Sequence, residues 1–351
     1  MLNIPGSYGE GGGQMLRTSL SLSAWLGIPF KISGIRIKRP KPGLKPQHLT
    51  ALLAAAEITH AEVQGAAIGS TEVAFIPGNP RPGKYIFDVS PGGSPGGSAG
   101  SAMLIMQTLL PALAMCAGRS LIRISGGTHV AWSPPFHFIE RSFLYSLSKM
   151  GLRTTLDIKR WGFYPKGGGE IEAEIFPSKL TPVGLMDRGK LLNLKIISAV
   201  ANLPDHIARR QADAALSVIR AHGLDAEIEL LRADSIGQGT FIYIDAEFEN
   251  IKTGFSALGE RGKRAETVGR EAVKSLIDYV DSKGCVEKHL ADQLLLYMAL
   301  TGGRCTLNVQ EITSHLITNA WVIRQFLPGV VINFSGQEKE SGTVEVIPVD
   351  T

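Results

Sequence analysis

Cysteine is scarce in this sequence of 351 residues. Only Cys116, Cys285 and Cys305 occur, and no two of them have CxxC spacing. A disulfide framework or a cysteine-ligated zinc site would need closely spaced or more numerous cysteines, so we expect neither. A reduced intracellular compartment fits this composition best.

Long apolar runs are missing as well. The first residues, MLNIPGSYGEGGG, have neither the basic stretch nor the apolar run of a signal peptide. Apolar windows elsewhere are interrupted by glycine, proline or polar residues. We therefore expect a soluble cytoplasmic protein with no membrane partner.

Charge shows no strong excess of one sign. The formal net charge is +4, which does not by itself indicate a nucleic-acid partner. With 44% apolar and 19% charged residues, the chain is typical of a folded globular protein. Glycine is the exception, because there are 40 where average usage gives about 25. Such an excess indicates repeated tight turns or close backbone approaches.

Three segments share one order of elements: an apolar helix pattern, a glycine, and then a strand pattern. The predicted helices are 15–26, 102–116 and 289–300, the glycines are Gly27, Gly118 and Gly302, and the strands are 29–37, 120–124 and 305–309. A histidine-bearing loop, a second helix (47–59, 136–150 and 316–327) and two further strands follow each time. This indicates an internal repeat of about 80 residues.

Each repeat is therefore expected to hold two helices and a four-stranded mixed sheet. The predicted fold class is α/β of the α+β type, in which helices of the three units pack against each other and sheet faces lie outside. An unrelated two-domain chain in which the pattern recurs by chance is the alternative.

The repeat spacing indicates an insertion. Gly27 and Gly118 are 91 positions apart, whereas Gly118 and Gly302 are 184 apart. We predict a small inserted α/β domain at 185–284, with a strand, helix, strand, strand, helix order of its own. The larger domain would comprise 1–184 and 285–351.

A glycine-rich turn at Gly9 to Gly13 leads into the first helix. Backbone N–H groups at such a turn can approach a phosphate, and the helix N-terminus adds positive potential. Glu10 and Arg17 would then lie near the same anion, with Glu10 placed to hold a divalent cation. The motif is neither GxGxxG nor a Walker A loop, so an ordinary turn is the alternative. A second glycine-rich turn is expected at 92–100.

Residues 36–45 carry five cations, and prolines 40, 42 and 46 stiffen this loop. Like charges held close together favour a bound anion such as the phosphate of a nucleotide or of a nucleic-acid end. Arg39 is best suited to bidentate contact, and Lys41 is a further candidate for contact with such a phosphate. A solvated basic loop is the alternative.

Histidine recurs in the loop before the second helix of each repeat, as His48, His129 and His315. Thr313 and Ser314 can cap the third of these helices and so hold the imidazole of His315 in place. Neutral imidazole is a nucleophile, and its attack on phosphorus gives a labile phosphoramidate. A structural histidine is the alternative.

Asp292 and Gln293 lie one helix and one strand upstream of His315, where they would bind a nucleotide or orient the histidine. The sequence has no GxSxG elbow, no HExxH and no set of kinase motifs. Serine hydrolase, zincin and kinase functions are therefore excluded.

Eight blocks of sequence, in order along the whole chain, resemble the RNA 3′-terminal phosphate cyclases. They are GEGGGQMLR, KPGLKPQHLTAL, GAAIGSTEVAFIPG, LIMQTLLPAL, SGGTH, RWGFYPKGGGE, HLADQLLLYMAL and TSHLITN. The resemblance implies a large domain of three βαβαββ repeats, like the C-terminal domain of a translation initiation factor, with a smaller domain inserted.

The resemblance also implies an ATP-dependent ligase reaction. A histidine attacks the α-phosphate of ATP in the presence of Mg²⁺ or Mn²⁺, giving histidine-AMP and pyrophosphate. AMP moves to the RNA 3′-phosphate, giving RNA(3′)pp(5′)A, and the vicinal 2′-OH then forms the 2′,3′-cyclic phosphate and releases AMP. The need for a ribose 2′-OH implies an RNA substrate.

The resemblance implies a role for each matching residue. The adenylated histidine falls on His315, the metal-associated glutamate on Glu10, and the phosphate-binding arginines on Arg17 and Arg39. Residues expected near the phosphates or the RNA end are Gln47 and His48, and those expected at the nucleotide are Gln107, His289, Asp292 and Gln293.

The chain departs from the family pattern at two positions. Bacterial and animal members often have tyrosine where this chain has His289, and some have proline where it has Ala131. The preference for ATP over GTP is therefore left open, as are the physiological RNA, the preferred metal, the role of the inserted domain and the oligomeric state, a homodimer included.

Two other functions compete with this interpretation. One is a non-catalytic ribosome-biogenesis relative of the cyclases, which would lack the adenylated histidine, so that His315 and Glu10 argue against it. The other is an enolpyruvyl transferase, which also repeats βαβαββ units and binds phosphorylated substrates. Those enzymes have six repeats in two comparable domains, whereas this chain has three and an insertion.

Overall fold

The computed structural model describes residues 1–89 and 99–348. The glycine-rich turn expected at 92–100 therefore lies outside the described residues except for its last two positions. Mixed four-stranded sheets and packed helices make up the structure, so the predicted α+β class is confirmed.

The first repeat has a sheet in the order β1-β2-β4-β3, in which β1 and β2 are parallel and the other neighbours antiparallel. Its elements are β1 (Leu2–Pro5), α1 (Gly13–Leu26), β2 (Phe30–Ser33), α2 (Pro46–Thr59), β3 (Glu62–Gln64) and β4 (Glu72–Ile76). The strand predicted at 29–37 is shorter because Gly34, at φ +71°, turns the chain after Ser33.

The second repeat has the same strand order, β5-β6-β8-β7, with the same directions. Its elements are β5 (Lys84–Asp88), α3 (Ala102–Ala114), β6 (Ser120–Gly126), α4 (Phe136–Phe138), a π-helical turn (Ile139–Phe143), α5 (Leu144–Lys149), β7 (Thr154–Arg160) and β8 (Gly169–Ile175). The helix predicted at 136–150 is thus interrupted by a π-helical turn, a feature often found beside functional sites.

The chain leaves the third repeat after a two-residue strand, β9 (Gly184–Leu185), and folds into a further sheet in the order β11-β10-β12-β13. The elements of this insertion are β10 (Leu191–Ala201), α6 (His206–Ala221), β11 (Glu227–Arg232), β12 (Gly239–Phe248), β13 (Lys252–Leu258) and α7 (Ala265–Asp281). Strand β13 is absent from the sequence prediction. Gly254 weakens its strand pattern, and a Cβ there would overlap the hydroxyl of Tyr243.

The third repeat resumes after the insertion and closes a sheet in the order β9-β14-β16-β15. Its remaining elements are α8 (Lys288–Ala299), β14 (Cys305–Val309), α9 (Ser314–Phe326), β15 (Val331–Ser335) and β16 (Gly342–Ile347). Leu185 pairs with Leu307 across the gap left by the insertion. We propose the predicted domain bounds, 1–184 with 285–351 and 185–284, on the basis of these four sheets.

Helices of different repeats pack on one another at the centre. Helix α1 contacts α2, α3 and α9, and α8 contacts α9. Thr18 Oγ donates a hydrogen bond of 2.8 Å to Asn319 Oδ1, joining the first helix to the last, and Ser21 Oγ donates one of 2.9 Å to the carbonyl of Thr108. None of the helices in the described part of the chain is both long and apolar enough to cross a membrane.

Candidate active site

One cleft of about 950 Å³ collects residues from all three repeats and from the insertion. This volume is at the upper end of the range for small-molecule sites, about 300–1,000 Å³. The charged side chains that line it are five cations and three acids: Arg17, Arg36, Arg39, Lys45, Lys288, Asp278, Glu287 and Asp292. The cleft is therefore suited to a large, anionic ligand.

Most of the residues predicted to form the site line this cleft. They are Arg17, Arg39, Gln47, His48, Gln107, His289, Asp292, Gln293 and His315. Lys41 is exposed and does not line the cleft, and its backbone carbonyl accepts a hydrogen bond of 2.9 Å from Arg36. Glu10 is not among the residues that line the cleft, but its carboxylate contacts His315, which does line it.

The glycine-rich turn brings backbone unusually close to other parts of the site. Gly9 has φ +53°, in the left-handed region that favours glycine. A Cβ on Gly13 would overlap the imidazole of His48 and lie 3.1 Å from Arg17 Nη1. Helix α1 begins here without a side-chain cap, and Gly12 and Gly13 line the cleft. The N-terminus of α1 is therefore open to an anion.

His315 is held in place by its own helix cap and by helix α1. Thr313 Oγ1 caps α9 by accepting a hydrogen bond of 3.0 Å from the Leu316 N–H, as the sequence predicts. The Nδ1–H of His315 donates to Gln14 Oε1 at 2.6 Å, and its Nε2 lies 2.9 Å from Glu10 Oε2. Both partner oxygens can accept, so Nε2 has a lone pair when the proton between it and Glu10 lies on the carboxyl group.

Several charges act on the acidity of His315. Burial lowers the pKa of its imidazole below the usual range, while the Glu10 carboxylate acts in the opposite direction. The nearby His289, Arg17 and Arg39 add to the lowering. The net direction favours the neutral ring, which is the nucleophilic form.

Glu10 connects His315 to the basic loop. Its Oε1 accepts a hydrogen bond of 2.6 Å from Ser314 Oγ, and its Oε2 lies 4.0 Å from Arg39 Nη2. Among the described residues no group of three or more His, Cys, Asp or Glu side chains is arranged to hold a metal ion. Mg²⁺ is commonly bound by one carboxylate together with substrate phosphates and water, so Glu10 alone still fits such an ion.

Arg17 and Asp292 are half-buried side chains of opposite charge type that line the cleft. Burial lowers the pKa of Arg17 to about 10, and the negative charge of Asp292 partly offsets this. Burial also raises the pKa of Asp292 to about 8, with Glu287 adding to the effect and Arg17 opposing it. Arg17 thus stays charged at neutral pH and presents a fixed cation to the cleft.

A chain of amide contacts joins α3 to α8. Gln107 Nε2 donates a hydrogen bond of 2.6 Å to Gln293 Oε1, and Gln293 Nε2 donates one of 2.8 Å to the His289 carbonyl. Glu287 caps α8 by accepting from the N–H groups of His289 and Leu290. The predicted nucleotide contacts are therefore brought together on neighbouring helices.

His48 and Gln47 begin helix α2 on another side of the cleft. His48 Nδ1 accepts a hydrogen bond of 3.1 Å from the Lys45 N–H, so its Nε2 carries the proton in the neutral ring. Burial lowers the pKa of His48 to about 3, and Arg17 adds to the effect. At neutral pH His48 is therefore a neutral hydrogen-bond donor. Gln47 Oε1 is bound by the Ser101 N–H at 3.1 Å.

His129, in the equivalent loop of the second repeat, has a structural role. It is buried, stacks on Trp161 with ring centres 4.0 Å apart, and lies 3.0 Å from His137 Nδ1 through its Nε2. It is not among the residues that line the cleft. The functional interpretation of this loop histidine is therefore wrong for the second repeat.

Sequence reasoning missed three polar residues of the site. Gln14 orients His315, Asn319 joins α9 to α8 by donating to the Asp292 carbonyl at 2.8 Å, and Glu287 caps α8. Gln14 lies within the glycine-rich block GEGGGQMLR, and its position at the start of α1 is the only signal that points to it. Asn319 is likewise the last residue of the block TSHLITN, whereas Glu287 lies outside the quoted blocks.

Comparisons with known proteins identify the family of this chain. The family model for RNA 3′-terminal phosphate cyclase matches residues 8–332. Curated relatives named RNA 3′-terminal phosphate cyclase include those of Pyrococcus furiosus (42% identical, covering 99% of each chain), Nostoc punctiforme (44%, covering 93% of this chain and 94% of the other) and Thermococcus kodakarensis (43%, covering 99% and 98%). The chain belongs to the RNA 3′-terminal phosphate cyclase family.

Two solved structures show a distant likeness to this chain. The enolpyruvyl transferase NikO from Streptomyces tendae aligns with a TM-score of 0.28 at 17% identity, over 50% of this chain and 33% of the other. EPSP synthase from Acinetobacter baumannii aligns with a TM-score of 0.29 at 13% identity, over 95% and 62%. Values this low carry no argument about fold or function.

Proposed function

We propose that this protein converts an RNA 3′-phosphate to a 2′,3′-cyclic phosphate at the expense of ATP, with His315 as the nucleophile. The observation that carries the proposal is the arrangement of His315. Its imidazole lies between Gln14 and Glu10 and faces a cleft lined by cations. Membership of the cyclase family supports the same activity.

In the first step, the His315 Nε2 lone pair attacks the α-phosphorus of ATP. The Nε2–P bond forms as the bond from the α-phosphorus to the bridging oxygen breaks, and pyrophosphate leaves with that electron pair. The Nδ1–H group stays hydrogen-bonded to Gln14 Oε1, and this contact keeps the ring in one orientation during the attack. Arg17 and Arg39 would stabilise the negative charge on the phosphates.

In the second step, an oxygen of the RNA 3′-phosphate attacks the same phosphorus and displaces the imidazole. In the third, the 2′-OH attacks the RNA phosphorus and loses its proton, and AMP leaves. His48, which has an Nε2–H donor and Arg17 as a charged neighbour, would hold a phosphate oxygen. Gln107, His289 and Gln293 would position the nucleoside of ATP.

The proposed reaction also includes a divalent cation, which would bind together with ATP. Glu10 would hold it, and its chemistry would be neutralisation of phosphate charge. Glu10 is already fixed by Ser314 at 2.6 Å, so its carboxylate is positioned before any ligand arrives. We leave the choice between Mg²⁺ and Mn²⁺ to experiment.

The proposal is tested by incubating the protein with ATP labelled at the α-phosphate and following label on the protein. Label that acid removes and alkali does not is expected, because a phosphoramidate is acid-labile. His315→Ala should take up none. His206→Ala, which alters an exposed histidine at the start of α6, should label like the parent.

Equal labelling of His315→Ala and the parent would show that another residue carries AMP. Release of pyrophosphate should accompany labelling, and an RNA oligonucleotide with a 3′-phosphate should then gain a cyclic end. Release of inorganic phosphate from phosphoenolpyruvate, without labelling, would instead support the transferase alternative.

A further inference from the structure

The side chain of Trp132 is completely exposed, at 100% of its accessible surface. Its backbone is also unusual, with φ +63° in the left-handed region that costs a residue other than glycine about 1–2 kcal/mol. Tryptophan would gain free energy by burial, so both features are unfavourable for the isolated protein. Such a combination indicates a contact that forms only when something binds.

The turn that carries Trp132 is held firmly. Ser133 Oγ donates a hydrogen bond of 3.2 Å to the Val130 carbonyl, and the Phe136 N–H donates one of 3.0 Å to the Thr128 carbonyl across the turn. Two prolines, Pro134 and Pro135, follow and restrict the backbone. The exposed ring is therefore presented by a rigid support.

The support continues into the core below. His129, three positions before Trp132, is buried and stacked on Trp161, with ring centres 4.0 Å apart. His129 and Phe163 are paired as an isolated β-bridge. The start of the turn is buried at His129, whereas the indole of Trp132 is exposed to solvent.

Trp132 lines the same cleft as His315 and Arg39. Ser133, Pro134 and Pro135 line it too, so the whole turn forms part of its wall. An aromatic platform beside a cationic groove is how proteins bind single-stranded nucleic acid without reading its sequence, because every base has a π-face. The acid on the insertion side, Asp278, is paired with Lys274 at 2.8 Å, so it adds little repulsion.

We propose that Trp132 stacks on a base within the last two nucleotides of the RNA and so guides the 3′-phosphate towards His315. This inference rests on the proposed function and names the part of the RNA that the site recognises. Adenine of ATP is the other planar base in the reaction. A small-molecule site buries most of its ligand, whereas a ring with no neighbour on either face suits a strand that continues into solvent.

The test separates use of RNA from use of ATP. The parent, Trp132→Ala and Trp132→Phe are compared in two assays at one salt concentration. The first measures labelling of the protein by α-labelled ATP without RNA. The second measures cyclisation of an oligouridylate of eight nucleotides that ends in a 3′-phosphate. Trp132→Ala should raise the KM for RNA roughly tenfold or more while labelling stays unchanged. Trp132→Phe should recover most of the loss, because it keeps a stacking ring.

A second substrate makes the assignment specific. Two further oligonucleotides lack the base at the last or at the penultimate position. The parent should cyclise poorly the one that lacks the base on which Trp132 stacks. Trp132→Ala should cyclise that oligonucleotide no worse than the parent does, because the stacking contact is already missing. An unchanged KM for RNA in Trp132→Ala would overturn the proposal, and so would a raised KM for ATP in its place. If the parent shows neither labelling nor cyclisation, it is the proposed function that fails.

Discussion

The imidazole of His315 and the side-chain amide of Gln14 meet at 2.6 Å, from Nδ1 to Oε1. An amide oxygen only accepts, so this contact holds a proton on Nδ1. Glu10 Oε2, 2.9 Å from Nε2, is an acceptor too, so Nε2 has a lone pair when the proton between these two atoms lies on the carboxyl group. Under the proposed function, Gln14 is a positioning residue that holds the plane of the ring and leaves Nε2 as the attacking nitrogen.

Removing the acceptor at position 14 should slow adenylation. Gln14→Leu keeps the size of the side chain but leaves the Nδ1–H unpaired, and we expect the rate of labelling to fall by up to roughly 100-fold. Single-turnover labelling with saturating ATP measures this directly. A rate equal to that of the parent would mean that the contact does not orient the nucleophile.

Gln14→Glu provides a readout that loss of packing would not give. A carboxylate keeps the acceptor but stabilises the charged imidazole, so it should raise the pKa of His315. The acid side of the pH–rate profile should then move to higher pH than in the parent. In the parent it should lie below the usual imidazole range, because burial lowers the pKa of His315.

Arginine at position 17 should not be replaceable by lysine at alkaline pH. Burial lowers the pKa of Arg17 to about 10. Free lysine has a lower pKa than free arginine, so the same burial would bring its pKa closer to neutral pH. Arg17→Lys should therefore lose ATP use as the pH rises above neutral, while the parent does not. A flat profile for the variant from pH 7 to 9 would contradict this.

Gly13 in the glycine-rich turn and Gly302 after helix α8 offer a matched pair of alanine variants. Gly13→Ala should reduce activity strongly, because its Cβ would overlap His48 beside Arg17. Gly302→Ala should be nearly neutral, because nothing lies within 4 Å of a Cβ there. Circular dichroism should show both folded. Equal activity of the two variants would show that the backbone of α1 does not need to approach His48.

Acid should destabilise the fold through the buried pair His129 and His137. Burial lowers the pKa of His137 to about 3 and that of His129 well below its usual range. From pH 6.5 downwards the unfolded chain therefore binds protons that the folded chain does not, so stability falls as the pH falls.

The expected slope is about 1.4 kcal/mol per pH unit for each imidazole. Urea unfolding of the parent at several values between pH 5 and 6.5 measures it, and His137→Asn should remove one histidine's share. A slope that is the same in the parent and in His137→Asn would show that this imidazole is charged in the fold.

Local features of the fold could be predicted from the sequence, and distant contacts could not. The cap at Thr313 and the helix end at Gly27 depend on a few neighbouring residues, so their patterns are visible in the chain. The helix stop predicted at Gly118 is wrong, because α3 already ends at Ala114 with Met115 as its C-cap. The contact of Gln14 with His315 joins residues about 300 positions apart and depends on how α1 packs on α9. No local pattern encodes it.

Two departures from expectation have physical causes of the same kind. Strand β13 contains Gly254, which a strand pattern disfavours but which the hydroxyl of Tyr243 requires. His129 occupies a position equivalent to His315, yet aromatic side chains of the insertion and of the second repeat enclose it. In both cases packing against a distant segment decides the outcome.

The interruption of the third repeat after Leu185 has a consequence for how the protein is made. Strand β9 pairs with β14, which lies more than a hundred residues further along the chain, and helix α1 packs on α9. Neither contact can form until the later element has been synthesised. During synthesis on the ribosome the first two repeats and the insertion can fold before His315 has emerged, because domains generally fold as units from the N-terminus. With His315 as the proposed nucleophile, activity begins only when the chain is nearly complete, and a nascent chain that stops short of α9 has the turn of Trp132 without the residue proposed to react with ATP.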